Sequence, residues 1–340
     1  MFVRTTKLYI FFFALGLALF AYLVYRVGVD EITAHILKAG WSFLYVILVW
    51  LIVYLLNTLA WRLVMSKRAD KISFFRLFMV TVSGFTINTL TPGLMIGGEP
   101  YKVVALTNAF GSQQSLSAVV LYRMINLLGH MLLLLTGILA AIVFLPLSSG
   151  VLSFAIVIGV AILFIIQITL SGHRDGVFER LMNVVRRLKF LHRVLDRLEK
   201  NKSSWKMMDD VITSTYRNQR SKFVLSVLLE YVTRIAMGFE VYLILHGVGV
   251  EITPVAALLV YVAYSIIINI MFFIPMNLGV REGGLYLGLE SLALSPVLGI
   301  YLGVVIRIRE LFWILIGLLF ILITSKLRDK VVSVPESARI

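Results

Sequence analysis

Glu99 and Glu282 occupy the same place in two copies of one pattern. The first copy reads Pro92-Gly93-Leu94-Met95-Ile96-Gly97-Gly98-Glu99, the second Pro275-Met276-Asn277-Leu278-Gly279-Val280-Arg281-Glu282, and each follows a long apolar run. About two dozen residues further on, an arginine lies inside the next apolar run: Arg123 after the first copy, Arg307 after the second. Proline and glycine interrupt helices, and an ionised side chain at membrane depth is costly enough to need a partner or a task. A broken, charged segment repeated once per half is the sequence pattern of a cargo-binding site at the bilayer midplane.

The cations set the chemistry. Arginine stays charged and donates several hydrogen bonds from a planar fork, which suits phosphate. Arg123, Arg281, Arg307 and Lys102 are therefore the candidate phosphate-binding residues. Lys102 lies one helical turn after Glu99, and Arg281 is adjacent to Glu282. The tips themselves, with Pro92, Gly93, Gly97 and Gly98 in one and Pro275, Asn277 and Gly279 in the other, would add backbone N–H donors at the following helix N-termini. Glu99 and Glu282 would hold the cations while the site is empty, or carry a coupling proton. Glu230 and Arg234, four apart, read as an ion pair. Arg123 and Asn126 share a helix face with His130 one turn on, the histidine reading as a packing residue. Arg309, Glu310 and Glu240 add further charge within apolar runs. The plainer alternative is that all these charges pair with one another and lock the broken segments in place.

No catalytic constellation emerges. Five scattered histidines and no cysteine offer no metal-ligand spacing, so no metal and no cofactor is expected. Neither a nucleophile elbow nor a phosphate-binding loop with its lysine is present.

The elements that must position these residues are membrane helices. The chain is 60% hydrophobic and 15% charged, unlike a soluble domain of 340 residues. Runs of spanning length recur at Leu8–Tyr25, Trp41–Met65, Phe74–Leu90, Leu116–Leu145, Val151–Leu170, Phe223–Leu245, Val255–Ile274 and Pro296–Ile323. They are too long and too apolar for barrel strands, so the fold class is an all-α polytopic membrane protein. The first run reads as a retained helix rather than a cleaved signal.

Charge sets the orientation. The net charge is +14, and residues 172–222 hold 13 Lys/Arg against 6 Asp/Glu. Val177, Leu181, Val184, Leu188, Leu191, Leu195 and Leu198 recur there at helical spacing, which describes a basic amphipathic loop on an anionic membrane surface, the plainer alternative being a solvated connector, and not a nucleic-acid site. Basic residues stay cytoplasmic. Eight straight spans would leave this loop outside, against its charge. If residues 74–115 and 255–295 are instead re-entrant helical hairpins, the conflict disappears. The chain then reads as a single transmembrane domain over 1–340. It is an inverted repeat (1–150 and 151–340) of about six transmembrane helices and two hairpins, with both termini cytoplasmic.

At these motifs the chain resembles the transmembrane, flippase-like domain of lysylphosphatidylglycerol synthases and their stand-alone relatives. The resemblance rests on Thr91-Pro92-Gly93, Gly97-Gly98-Glu99-Pro100, Tyr122-Arg123, Ile274-Pro275 and Gly279-Val280-Arg281-Glu282-Gly283, and it covers almost the whole chain. Met276-Asn277-Leu278 stand where the family pattern has further glycines. The resemblance implies a cell-membrane lipid translocator for an anionic phosphate-headgroup lipid, either a phospholipid or a polyprenyl-phosphate-linked one. It does not extend to the synthase domain. A homo-oligomer fits this reading. The rival readings are a membrane-embedded lipid-modifying enzyme and a non-transporting scaffold of a lipid-synthesis complex.

Overall fold

A computed structural model of the chain describes residues 40–91, 97–146, 148–175, 219–271, 280–295 and 297–332. The expected first helix Leu8–Tyr25, the tip residues Pro92, Gly93, Pro275, Asn277 and Gly279, and most of the basic loop (176–218) lie outside the described residues. The elements among the described residues are all helical, as their composition requires: α1 Trp41–Met65, a 3₁₀ turn Ser66–Lys71, α2 Phe74–Leu90, α3 Gly98–Phe110, α4 Ser112–Phe144, α5 Ser149–Asp175, α6 Arg220–Gly247, α7 Pro254–Ile270, α8 Val280–Glu290 and α9 Val297–Val332.

Local chemistry sets several boundaries. Ser73 caps α2 by accepting from the Arg76 N–H at 3.3 Å, and Thr253 caps α7 by accepting from Ala256 N–H at 3.2 Å, with Pro254 at the first helical position. Thr91 ends α2 in an extended conformation (φ −83°, ψ 121°), the backbone expected of a residue that precedes a proline. Gly111 ends α3 at φ +79°, where a side chain would strain the turn.

By length and composition, α1, α4 and α5 (over Ser149–Gln167) can each cross a membrane. Helices α6 and α9, of 28 and 36 residues, are also long enough but carry charges within their apolar length. The remaining helices are shorter. At 1.5 Å per residue, the 13 residues of α3 and the 11 of α8 span only about 20 and 17 Å, less than the ~30 Å hydrocarbon core.

The helices fall into two compact units. Among the described residues, the larger comprises 40–58, 67–91, 97–115, 235–271, 280–295 and 297–332. The smaller comprises 59–66, 116–146, 148–175 and 219–234.

In the larger unit, α2 and α8 both pack on α9, α3 packs on α2, and α8 packs on α7. Tyr54, Phe78, Val82 and Trp313 form the core between α1, α2 and α9, with the Tyr54 and Trp313 rings edge-on at 4.8 Å. Helix α2 runs antiparallel to α9: Phe78 meets Phe320, the Ser83 hydroxyl donates to the Gly317 carbonyl (3.2 Å), and Thr86 donates to that of Trp313 (3.5 Å). Helix α8 is antiparallel to α9 as well: Tyr286 lies against Gly299, Glu282 against Gly303 and Arg307, and Arg281 against Glu310. Followed residue for residue, the end of α2 at Leu90 comes level with about Arg309 of α9, and the start of α8 at Val280 with the stretch between Val305 and Leu311.

In the smaller unit, Gly129 lets α4 approach α6 closely, because a Cβ there would collide with Glu230 and the Tyr231 backbone. Trp61 donates to the Ala118 carbonyl at 3.1 Å and stacks on Tyr122 at 4.8 Å.

Candidate functional site

Glu99 and Glu282 each lie in the first turn of a helix that follows a tip, where the helix dipole favours a carboxylate. From this common start their partners diverge. Glu99 is held from its own helix pair. Asn88, on α2, donates to Glu99 Oε1 at 3.3 Å and accepts from the Gly98 N–H at 2.7 Å, so one amide ties the carboxylate and the helix start to α2. Lys102 Nζ stands 4.0 Å from the same oxygen and 5.0 Å from the Phe85 ring centroid. It is almost wholly buried, in room left by Gly84.

Glu282 is held from α9. Arg307 donates to Glu282 Oε1 from Nε (2.8 Å) and from Nη2 (2.6 Å). Gly303 makes the seat, since a Cβ there would come 2.8 Å from Glu282 Cγ. Arg281 is adjacent to Glu282 in sequence. Arg281 instead donates from Nη1 to Glu310 Oε2 at 2.8 Å. Neighbours on α8 point to different sides of the helix, so they grip α9 at two points three residues apart.

Beyond these pairs lies a deeper one that sequence reasoning noted only as scattered charge. Arg309 donates to both oxygens of Glu240, from Nε at 2.8 Å and Nη2 at 3.1 Å. Trp50 Nε1 donates to Glu240 Oε2 at 2.9 Å, and the Trp50 ring lies 3.7 Å from the Arg309 guanidinium carbon. Both charged side chains are 4% exposed. The remaining nitrogen, Arg309 Nη1, is 4.0 Å from Glu310 Oε1. A signal was present, because Arg309 and Glu310 interrupt an apolar run beside Arg307. Nothing local pointed to Glu240, 69 residues away.

Arg123, Glu230 and Arg234 belong to the smaller unit. Arg123 is exposed there. The expected Glu230–Arg234 pair is bridged by an amide that the sequence placed only on a face with Arg123: Asn126 donates to Glu230 Oε2 at 2.8 Å and accepts from Arg234 Nη2 at 2.9 Å. His130 follows one turn later on α4.

The arrangement offers fixed guanidinium groups paired with carboxylates at a helix start, and no cluster of three or more His, Cys, Asp or Glu that could hold a metal is found among the described residues. Comparison with known proteins gives this geometry a family. Residues 9–317 match the family described as Lysylphosphatidylglycerol synthase TM region. The chain belongs to that family. A UPF0104 membrane protein from Methanothermobacter thermautotrophicus is 22% identical over 315 residues, covering 88% of this chain and 90% of that protein. No solved structure matches the chain. The match covers both proline–glutamate copies and every candidate residue named above, and it agrees with a multi-pass helical membrane protein.

Proposed function

We propose that this chain is a membrane lipid translocator for an anionic phosphate-headgroup lipid, either a phospholipid or a polyprenyl-phosphate-linked one. The observation that carries this reading is the convergence on one stretch of α9. Arg281 and Arg307, each held by a carboxylate, lie where the inner ends of α2 and α8 come level. Non-helical backbone at membrane depth is tolerable only where protein or a water-filled cavity satisfies it. In this reading the fixed guanidinium groups of Arg281 and Arg307 line a cavity suited to phosphate. The short second arms, α3 and α8, support the re-entrant reading of 74–115 and 255–295 and, with it, the inverted repeat. Family membership supports a lipid as cargo. Transport in this scheme runs downhill or is ion-coupled, in a cell membrane, with the basic loop 172–222 on the anionic cytoplasmic face.

The test is reconstitution. Purified chain in vesicles carrying a trace of headgroup-labelled phosphatidylglycerol should speed loss of the label's protection from an impermeant quencher. Arg281→Ala and Arg307→Ala should each abolish the acceleration while the protein still melts cooperatively. Wild-type vesicles no faster than protein-free ones, across phosphatidylglycerol and a labelled polyprenyl phosphate, would refute the reading.

A further inference from the structure

Each guanidinium on this stretch of α8 and α9 already has a carboxylate: Arg281 has Glu310 at 2.8 Å, Arg307 has Glu282 at 2.6 Å and Arg309 has Glu240 at 2.8 Å. An incoming phosphate must therefore compete with these carboxylates for the guanidinium N–H groups. The three pairs are not equally held. Glu240 takes two bonds from Arg309 and a third from Trp50, in a site almost closed to its surroundings. Glu282 takes two bonds from Arg307, sits at a helix N-terminus and is seated in the gap at Gly303. Glu310 has one bond from Arg281, and its side chain, at 21%, is as exposed as that of Glu282 at 22%, so the single bond is what marks it as the least held.

We infer that Glu310 is a built-in competitor for the headgroup phosphate, occupying Arg281 while the site is empty and yielding it by moving onto Nη1 of Arg309. Rebinding requires little motion. The second oxygen of Glu310 is already 4.0 Å from that nitrogen, so closing to hydrogen-bond length takes a shift of about 1 Å. Arg309 cannot follow the carboxylate away, because Glu240 and the Trp50 ring fix its plane. The transfer leaves Glu310 with a guanidinium partner, so releasing Arg281 strands no buried charge. Arg281 is also ready to bind: its Nε is buried without a hydrogen-bond partner among the described residues. The ligand is the phosphate of a lipid headgroup, so the inference rests on the function proposed above.

The test uses the full chain purified in detergent, titrated with dihexanoyl phosphatidylglycerol and, as a phosphate-free control, dihexanoylglycerol. Glu310→Gln keeps the shape and removes the competing charge. It should lower the Kd for the phospholipid on the order of tenfold, the worth of one charge-assisted hydrogen bond, and leave the control unchanged. A merely structural role for Glu310 would weaken binding, never tighten it. Glu310→Asp keeps the charge but withdraws it from Arg281 by one methylene, must shift Kd the same way, and decides the matter if the glutamine variant does not fold. Equal binding by wild type and variants would overturn the competitor role alone, and so would a parallel gain for dihexanoylglycerol. Binding of the phospholipid by none of them would overturn the proposed function as well.

Discussion

Arg307 places two of its nitrogens on a single oxygen of Glu282, at 2.8 and 2.6 Å, and so ties the start of α8 to α9 across 25 residues of chain. A fork converging on one oxygen, at a helix end that already favours the carboxylate, is a coupled arrangement. A double-mutant cycle of Glu282→Gln and Arg307→Gln, read by thermal unfolding in detergent, should return a coupling of about 1–3 kcal/mol. Additive single effects would show that the two side chains act independently.

The Glu240–Arg309 pair should behave as a buried ion pair. Removing one partner, as in Glu240→Leu, leaves a stranded guanidinium and should cost about 3–5 kcal/mol of stability. The double replacement Glu240→Leu with Arg309→Met should be much milder than either single change, since apolar groups of similar volume need no partner. Melting temperatures of the three variants check this. A double variant as damaged as the singles would mean the pair contributes through packing on Trp50.

Glycine sets the spacing of α2 and α3. A Cβ on Gly98 would collide with the Gly84 carbonyl oxygen, backbone that cannot step aside. Gly98→Ala should therefore destabilise by about 1–3 kcal/mol, as overpacking does. Gly283, on α8, faces open space. Gly283→Ala should be neutral or stabilise by up to about 1 kcal/mol through helix propensity. Reversal of this order in a melting assay would contradict the packing described.

Orientation can be read without background, because the chain has no cysteine. Single cysteines introduced at 200–205 should label only after cells are permeabilised, and one at 248–250 should label in intact cells. The motive is the excess of 13 basic over 6 acidic residues in 172–222. Labelling of 200–205 from outside would remove the inverted-hairpin topology.

The sequence by itself determined the fold class and the places where helices break. Both are local properties: apolar run length makes a membrane helix, Pro92 pushes Thr91 out of helical backbone, and Ser73 and Thr253 cap α2 and α7. It also determined that Glu99 and Glu282 sit in equivalent first turns, because equal spacing from a proline is written in the chain. Only the tertiary structure decided the partners. Arg281 goes to Glu310, not to its neighbour Glu282. Arg309 finds Glu240 from 69 residues away, and Asn126 reaches Glu230 across 104. An ion pair is chosen by which helices pack and in what register. That register comes from side-chain volumes along α9 and from glycines such as Gly303 and Gly129. No charge pattern along the chain encodes it, so the partner of Arg281 could not be read from the residues beside it.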